Sequence, residues 1–186
     1  MVLTRERIAL EQFLELPEDK PALEYLEGVV SQKVSPKTRH SMLQGALLER
    51  INGFTRSRRI AWAFPELRLT FAGASPVPDV SVLRWDRIPY DDQGILVDDL
   101  FLAPDIAVEI VSPDQSVNSF IQKCLWYVDN GVQIALLTDP NHQSIVAFRH
   151  GQEPRLLRGS ERIDLDEVLP GFQLTVHELF SSLRRS

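Results

Sequence analysis

Two carboxylates stand where a soluble protein seldom places them. Glu109 lies inside the apolar run Ala103-Pro104-Asp105-Ile106-Ala107-Val108-Glu109-Ile110-Val111-Ser112-Pro113, and Asp79 opens the run Pro78-Asp79-Val80-Ser81-Val82-Leu83-Arg84-Trp85. Both runs read as buried strands, and a buried carboxylate needs a cation or hydrogen bonds to compensate it. Adjacent strands lie about 4.8 Å apart, so Asp79 and Glu109 on neighbouring strands can share one divalent cation. Asp105 precedes Glu109 by four residues on the same strand, about 13 Å at about 3.3 Å per residue, too far to chelate the same ion. Asp105 is therefore assigned to the start of the strand, and Asp79 is the metal partner of Glu109. A two-carboxylate Mg²⁺ site with open water positions, for which Mn²⁺ is a natural substitute, suits phosphodiester hydrolysis: the metal activates water and neutralises charge developing on phosphate. Lys123 supplies a cation about two turns into the segment that follows Glu109, on the Ser119-Lys123-Tyr127 side of a helix.

The elements that must position these residues follow from periodicity. Thr4 to Leu16 spaces Ile8, Leu10, Phe13, Leu14 and Leu16 as a short amphipathic helix ended near Pro17. Leu23–Leu26 and Val29–Val34 flank Glu27-Gly28, a hairpin turn. From Ser35-Pro36 onward, Met42, Leu43, Ala46, Leu47, Ile51 and Phe54 keep helical spacing to near Gly53–Ser57, with Arg56, Arg58 and Arg59 as solvated charges at its C-terminal end. Leu67, Leu69 and Phe71 alternate with Glu66, Arg68 and Thr70, which predicts a strand ending at Gly73. The Asp79 strand follows, then a polar surface connection from Asp86 to Asp99, then the Glu109 strand.

Beyond the break at Ser112–Ser116, the spacing of Phe120, Ile121, Cys124, Leu125 and Val128 predicts a helix from Val117 to Asn130, capped by Gly131. Cys124 falls on its apolar side and is read as core. Ser112 has no paired base in its sequence context and is read as the cap of the turn into this helix. Val132–Leu137 and Ser144–Arg149 form a strand pair, and the order strand, helix, strand over residues 104–138 predicts a right-handed crossover. One weak strand, an acidic turn and a short terminal helix complete the chain. The expected organisation is one domain over residues 1–186, with a helix and hairpin (1–35) and a C-terminal extension (151–186) as appendages.

Composition narrows the partners. A formal net charge of -6 works against non-specific attraction to nucleic acid, though a local basic cleft is compatible with it. A single cysteine rules out an intramolecular disulfide and a Cys-rich zinc site. No apolar run approaches transmembrane length and the N-terminus lacks a signal-peptide pattern, so a cytoplasmic protein without a membrane partner is expected.

The coarse order helix, strand, strand, strand, helix, strand and the residues on it resemble a known family. Pro78-Asp79, Pro104-Asp105 through Ser112-Pro113, Lys123 with Tyr127, Asn130-Gly131-Val132 and Asp139-Pro140 are similar to the Uma-type putative restriction endonucleases, a branch of the PD-(D/E)xK nuclease superfamily. The likeness extends to Glu24–Gly28, His40 and Val168–Phe172. It implies an α/β (α+β) fold with a restriction-endonuclease-like αβββαβ core, a mixed sheet flanked by helices. It also implies Asp79 and Glu109 as Mg²⁺ ligands, Lys123 as the assisting cation, DNA as substrate, and Glu24 and His40 as auxiliary residues. The superfamily lysine stands two positions after the acid, where this chain has Val111. The resemblance moves that role to Lys123, with Lys33 and Lys37 as substitutes.

Three functional readings stay open at this stage. One is a Mg²⁺-dependent DNA endonuclease, with a homodimer among its assemblies. Another is a nuclease-fold protein that binds nucleic acid or a protein without cleaving. The third, resting on Trp62, Trp85 and Trp126, is an assembly module with an apolar surface.

Overall fold

The helix expected after Ser35-Pro36 forms over Thr38–Thr55 (α2), because His40, Leu43, Leu47, Ile51 and Thr55 recur at three- and four-residue spacing and bury one face. This is a computed structural model, and it describes residues 7–112 and 115–185. The first helix, α1, is shorter than its amphipathic pattern and covers Leu10–Leu14 with Phe13 buried. The Thr4–Glu6 part of that expectation lies outside the described residues, as do Pro113 and Asp114 of the break after the Glu109 strand.

Between α1 and α2, β1 (Leu23–Leu26) and β2 (Val29–Gln32) pair antiparallel with Leu26 opposite Val29. The two turn residues, Glu27 and Gly28, both take positive φ, 50° and 81°, as a tight hairpin turn of this length requires. The register sets Glu24 opposite Ser31, so Glu24 and Lys33 share one face of the hairpin.

Six further strands form one mixed sheet in the order in which they occur: β3 (Ala61–Pro65), β4 (Val80–Arg84), β5 (Ile106–Ile110), β6 (Ile134–Asp139), β7 (Ser144–Phe148) and β8 (Arg155–Arg158). All neighbours are antiparallel except β5 and β6, which run parallel across the helix α3 (Val117–Asp129). The succession α2-β3-β4-β5-α3-β6 is the αβββαβ core expected from the sequence. Gly131, just past α3, takes φ 99°, where a side chain is disfavoured, and lets the chain turn back into β6.

The first core strand lies earlier than its pattern suggested. Residues 66–73 do not enter the sheet; Ala61–Pro65 does. Within β3 the alternation is small against large. Ala61 and Ala63 are buried under α2, while Trp62 and Phe64 pack on the opposite face. The alternation of Leu67, Leu69 and Phe71 is nevertheless put to use, because these side chains pack with Leu83 and Leu100 in a separate cluster. Their backbone bonds go to loop residues instead: Leu69 N–H donates to Pro76 O and Thr70 N–H to Leu100 O. Glu66 and Ala72, with positive φ at either end, break the extended conformation.

Two layers cover the sheet. On one face α2, α4 (Val176–Ser181) and the C-terminal segment pack on Val80, Val82, Ile106, Val108 and Ile110. On the other, α3 packs on Ala107, Val111, Ala135 and Leu137 with Cys124 and Tyr127 at the centre. Cys124 is thus a core residue, and burial with the nearby Glu109 charge raises its thiol pKa far above the usual range. The tryptophans are half-buried within the fold: Trp62 meets Trp85 edge-on, and Trp126 packs on Phe71 and Tyr127. Arg56 and Arg58 lie over the rings of Trp62 and Phe54. Among the described residues, no helix is long and apolar enough to cross a membrane.

Asp105 marks the end of β5 away from Glu109, and it is saturated. Its Oδ2 accepts the Arg84 backbone N–H at 2.8 Å, and its Oδ1 lies 2.7 Å from Arg87 Nη1, 3.3 Å from Arg84 Nη1 and 3.3 Å from Gln133 Nε2. We expect Asp105→Ala to lower unfolding free energy by about 2–4 kcal/mol in urea titration, because it strands two cationic groups and a backbone donor. Divalent-cation binding measured by calorimetry should be unchanged in the folded variant.

Candidate active site

The antiparallel register between β4 and β5 pairs Val80 with Val108 and Ser81 with Ala107. Continued by one residue, it sets Asp79 opposite Glu109 at the end of both strands. Even-numbered β5 residues face α2, so Glu109 points to the α3 side, where an aligned apolar strand would otherwise continue. Both carboxylates are nearly inaccessible, Asp79 at 2% and Glu109 at 1% exposure.

Four elements supply their compensation. From α3, one turn apart, Lys123 Nζ lies 2.9 Å from Glu109 Oε1 and the Tyr127 hydroxyl donates to the same oxygen at 2.8 Å. From β1, Glu24 Oε1 accepts Lys123 Nζ at 2.7 Å and the Val77 N–H at 2.7 Å. Just past β2, Lys33 Nζ donates to Asp79 Oδ1 at 2.5 Å and to Val77 O at 2.8 Å. From the first turn of α2, His40 Nε2 lies 3.0 Å from Asp79 Oδ2, which also accepts the Ile110 N–H at 2.7 Å. Gln44, one helical turn beyond His40, donates to the Asp79 backbone carbonyl.

The electrostatics of the two acids differ. Burial pushes the Glu109 carboxyl up; the Lys123 charge opposes it most strongly and Lys33 helps, but the charges of Asp79 and Glu24 take back part of that relief and burial prevails. Burial would also raise Asp79, yet the His40 hydrogen bond and the Lys33 charge hold it well below the ordinary carboxylate range. Burial would lower both lysines, but the acids beside them win: Glu109 and Glu24 raise Lys123, and Asp79 and Glu109 raise Lys33. Among the described residues, Glu109 Oε2 receives no hydrogen bond and the buried His40 Nδ1 has no partner.

The cluster opens into a cleft of about 760 Å³ between the hairpin and α3, lined also by Gln32, Phe120, Gln122 and Trp126. Of the residues expected from sequence, Asp79, Glu109, Lys123, Glu24 and His40 all line it, and so does Lys33. Lys37, at the N-cap of α2, lies outside this lining and borders a separate small cavity. Ser112 does not cap α3; Ser116 holds the N-cap position, while Ser112 exchanges bonds with Gln115 through its own backbone. The role of the Tyr127 hydroxyl was not apparent from the sequence. Its signals were the four-residue spacing from Lys123, which a core tyrosine would share, and its place beside Lys123 in the family resemblance, which named no role for it.

The model of the Uma2 family, described as a putative restriction endonuclease, matches residues 10–177. The crystal structure of a putative nuclease belonging to DUF820, from Anabaena variabilis, superposes with a TM-score of 0.92 and 38% identity, covering 95% of this chain and 99% of that one. A cryo-EM structure of a DrdV–DNA complex aligns over 76% of this chain and 95% of that one at 13% identity, with a TM-score of only 0.35. No curated protein matches the sequence. Because the family model runs from α1 into α4 and takes in every element that borders the cleft, the chain belongs to the Uma2 family of putative restriction endonucleases.

Proposed function

We propose that the cleft is the active site of a metal-dependent endonuclease that hydrolyses DNA phosphodiester bonds. The observation that carries this reading is the register that sets Asp79 opposite Glu109 at the cleft floor, with an ammonium group beside each. Family membership supports the same chemistry.

The donor set fits a hard divalent cation. Asp79 and Glu109 offer carboxylate oxygens only, Glu109 Oε2 is free of protein donors among the described residues, and no soft sulfur ligand lines the cleft. Among the described residues no three His, Cys, Asp or Glu side chains converge as a cage, so two carboxylates completed by water, the habit of Mg²⁺, is the arrangement these residues allow. Bound there, Mg²⁺ or Mn²⁺ would neutralise charge on the scissile phosphate and make a water molecule more acidic.

The protein's own groups do the rest. Lys123 opposes the upward push of burial on Glu109 and presents its ammonium towards the reacting phosphate; Glu24 fixes where that ammonium sits. Tyr127 holds the Glu109 carboxylate in one orientation, and His40 with the Ile110 N–H does so for Asp79. Lys123 thereby takes the place left by Val111, whose side chain packs in the α3-side core. The single thiol, buried in that core, suits a reducing cytoplasm.

A non-cleaving DNA- or protein-binding role is the competing reading, favoured by Val111 and by the paired state of both lysines. Nicking and linearisation of supercoiled plasmid with Mg²⁺ or Mn²⁺ separates the two. We expect Asp79→Asn and Glu109→Gln, both near-isosteric, to slow cleavage by on the order of 100-fold or more while leaving the melting transition cooperative. Equal rates for wild type and both variants would sink the nuclease reading. Lys123→Met should lose cleavage as well, and should also destabilise by about 3–5 kcal/mol in urea, since it leaves Glu24 and Glu109 buried without their cation.

A further inference from the structure

The metal reading meets an obstacle at Asp79, where both oxygens already hold protein donors. Oδ2 serves the Ile110 N–H and His40, and Oδ1 serves Lys33. These donors are not equally removable. The Ile110 N–H is fixed in the backbone of β5, and His40, 5% exposed, is locked in the first turn of an 18-residue helix. Lys33 arrives on a four-carbon stem from the residue after β2, the most adjustable of the three.

A cation cannot simply join Lys33 on Oδ1. Metal–oxygen contacts of about 2.1 Å, with the ammonium nitrogen 2.5 Å from the same oxygen, would put two cations within about 4–5 Å of each other in a water-poor site. Charge repulsion at that distance favours departure of the ammonium. Departure is open to it, because the Val77 carbonyl, 2.8 Å away, can keep one of its three N–H bonds while the ammonium leaves Asp79.

Resting on the metal reading of the site, we propose that Lys33 is a placeholder cation: its ammonium occupies Asp79 until a divalent ion displaces it towards the cleft. Metal binding is then an exchange of one cation for another on a carboxylate that is never bare. Without such a placeholder, Asp79 at 2% exposure would be a buried charge held by His40 and one backbone donor alone. The displaced ammonium is left facing the cleft, where an anionic substrate group can take it. Glu24 and Glu109 attract Lys33 and Lys123 repels it, and all three face it from β1, β5 and α3. The hairpin that carries Lys33 thereby senses whether the metal position is filled.

The test is calorimetric titration of the full chain with Mn²⁺ for wild type, Lys33→Met and Lys33→Arg. Lys33→Met removes the competing charge while keeping much of the stem, and should bind Mn²⁺ on the order of tenfold more tightly than wild type. Lys33→Arg retains the charge and should bind no more tightly than wild type. Equal affinity of Lys33→Met and wild type overturns the placeholder role and leaves the metal reading standing; absence of binding in all three overturns both. Should Lys33→Met fail to give a cooperative melt, the wild-type protein answers instead. With Lys side chains labelled at ¹³Cε and ¹⁵Nζ, Mg²⁺ titration should shift the Lys33 signals more than those of Lys123. Unmoved Lys33 signals at metal saturation overturn the proposal.

Discussion

The structure depends on compensating Glu109 inside an apolar strand. Every residue of β5 is buried, and a lone carboxylate there would be costly enough to be driven neutral or to unfold the strand. Compensation arrives from sequence-distant elements at once, through Lys123 and Tyr127 of α3 and, behind Lys123, Glu24 of the hairpin. The parallel β5–α3–β6 crossover is what allows this. It returns α3 over the face of β5 that carries Glu109, so Lys123 and Tyr127, one helical turn apart, reach the same oxygen. The hairpin, outside the main sheet, is tied to the cluster by the same charges and by backbone bonds between Tyr25 and Ser75.

The two ends of β5 carry acids that differ in how fully their oxygens are saturated. Asp105 is gripped by two guanidinium groups, an amide side chain and a backbone N–H, which occupy both of its oxygens. Guanidinium groups remain charged at any accessible pH and offer fixed forked donors, so this end is static. Glu109 meets an ammonium and a phenol on one oxygen, and among the described residues its other oxygen accepts no hydrogen bond. The ammonium groups beside Asp79 and Glu109 stand on flexible stems, whereas the Asp105 network cannot be rearranged without loss of stability.

Much of the fold was legible because the chain obeys local rules. The hairpin at Glu27-Gly28, the four-residue spacing of α2, the stop at Gly131 and the strand-helix-strand order around α3 are each encoded within about twenty residues. The strand at Ala61–Pro65 was hidden because its alternation is of size: alanines fit beneath α2 while Trp62 and Phe64 fill the opposite face. Residues 67–71 carry a strand-like alternation that is satisfied by a loop-covered cluster, a choice made by Leu83 and Leu100 from elsewhere in the chain. Ser112 gave way to Ser116 at the helix start for a similar reason, since several serines near a break offer the same local signal.

The sequence by itself determined that Glu109 and Asp79 are buried acids at strand ends, that Asp105 is too far along its strand to join them, and that Lys123 stands on a helix able to approach. Those conclusions follow from spacing along one chain, where the rise per residue fixes distance. Only the tertiary structure decided which cation serves which acid. Lys33 sits on Asp79, and Lys123 bridges Glu24 and Glu109, because the register of the hairpin turns Glu24 and Lys33 to one face and its docking against Ser75 and Val77 presents that face to the sheet. Pairings between residues separated by 46 and 99 positions carry no local sequence signal; they are set when the packed elements bring charges within reach and burial forces each to find a partner.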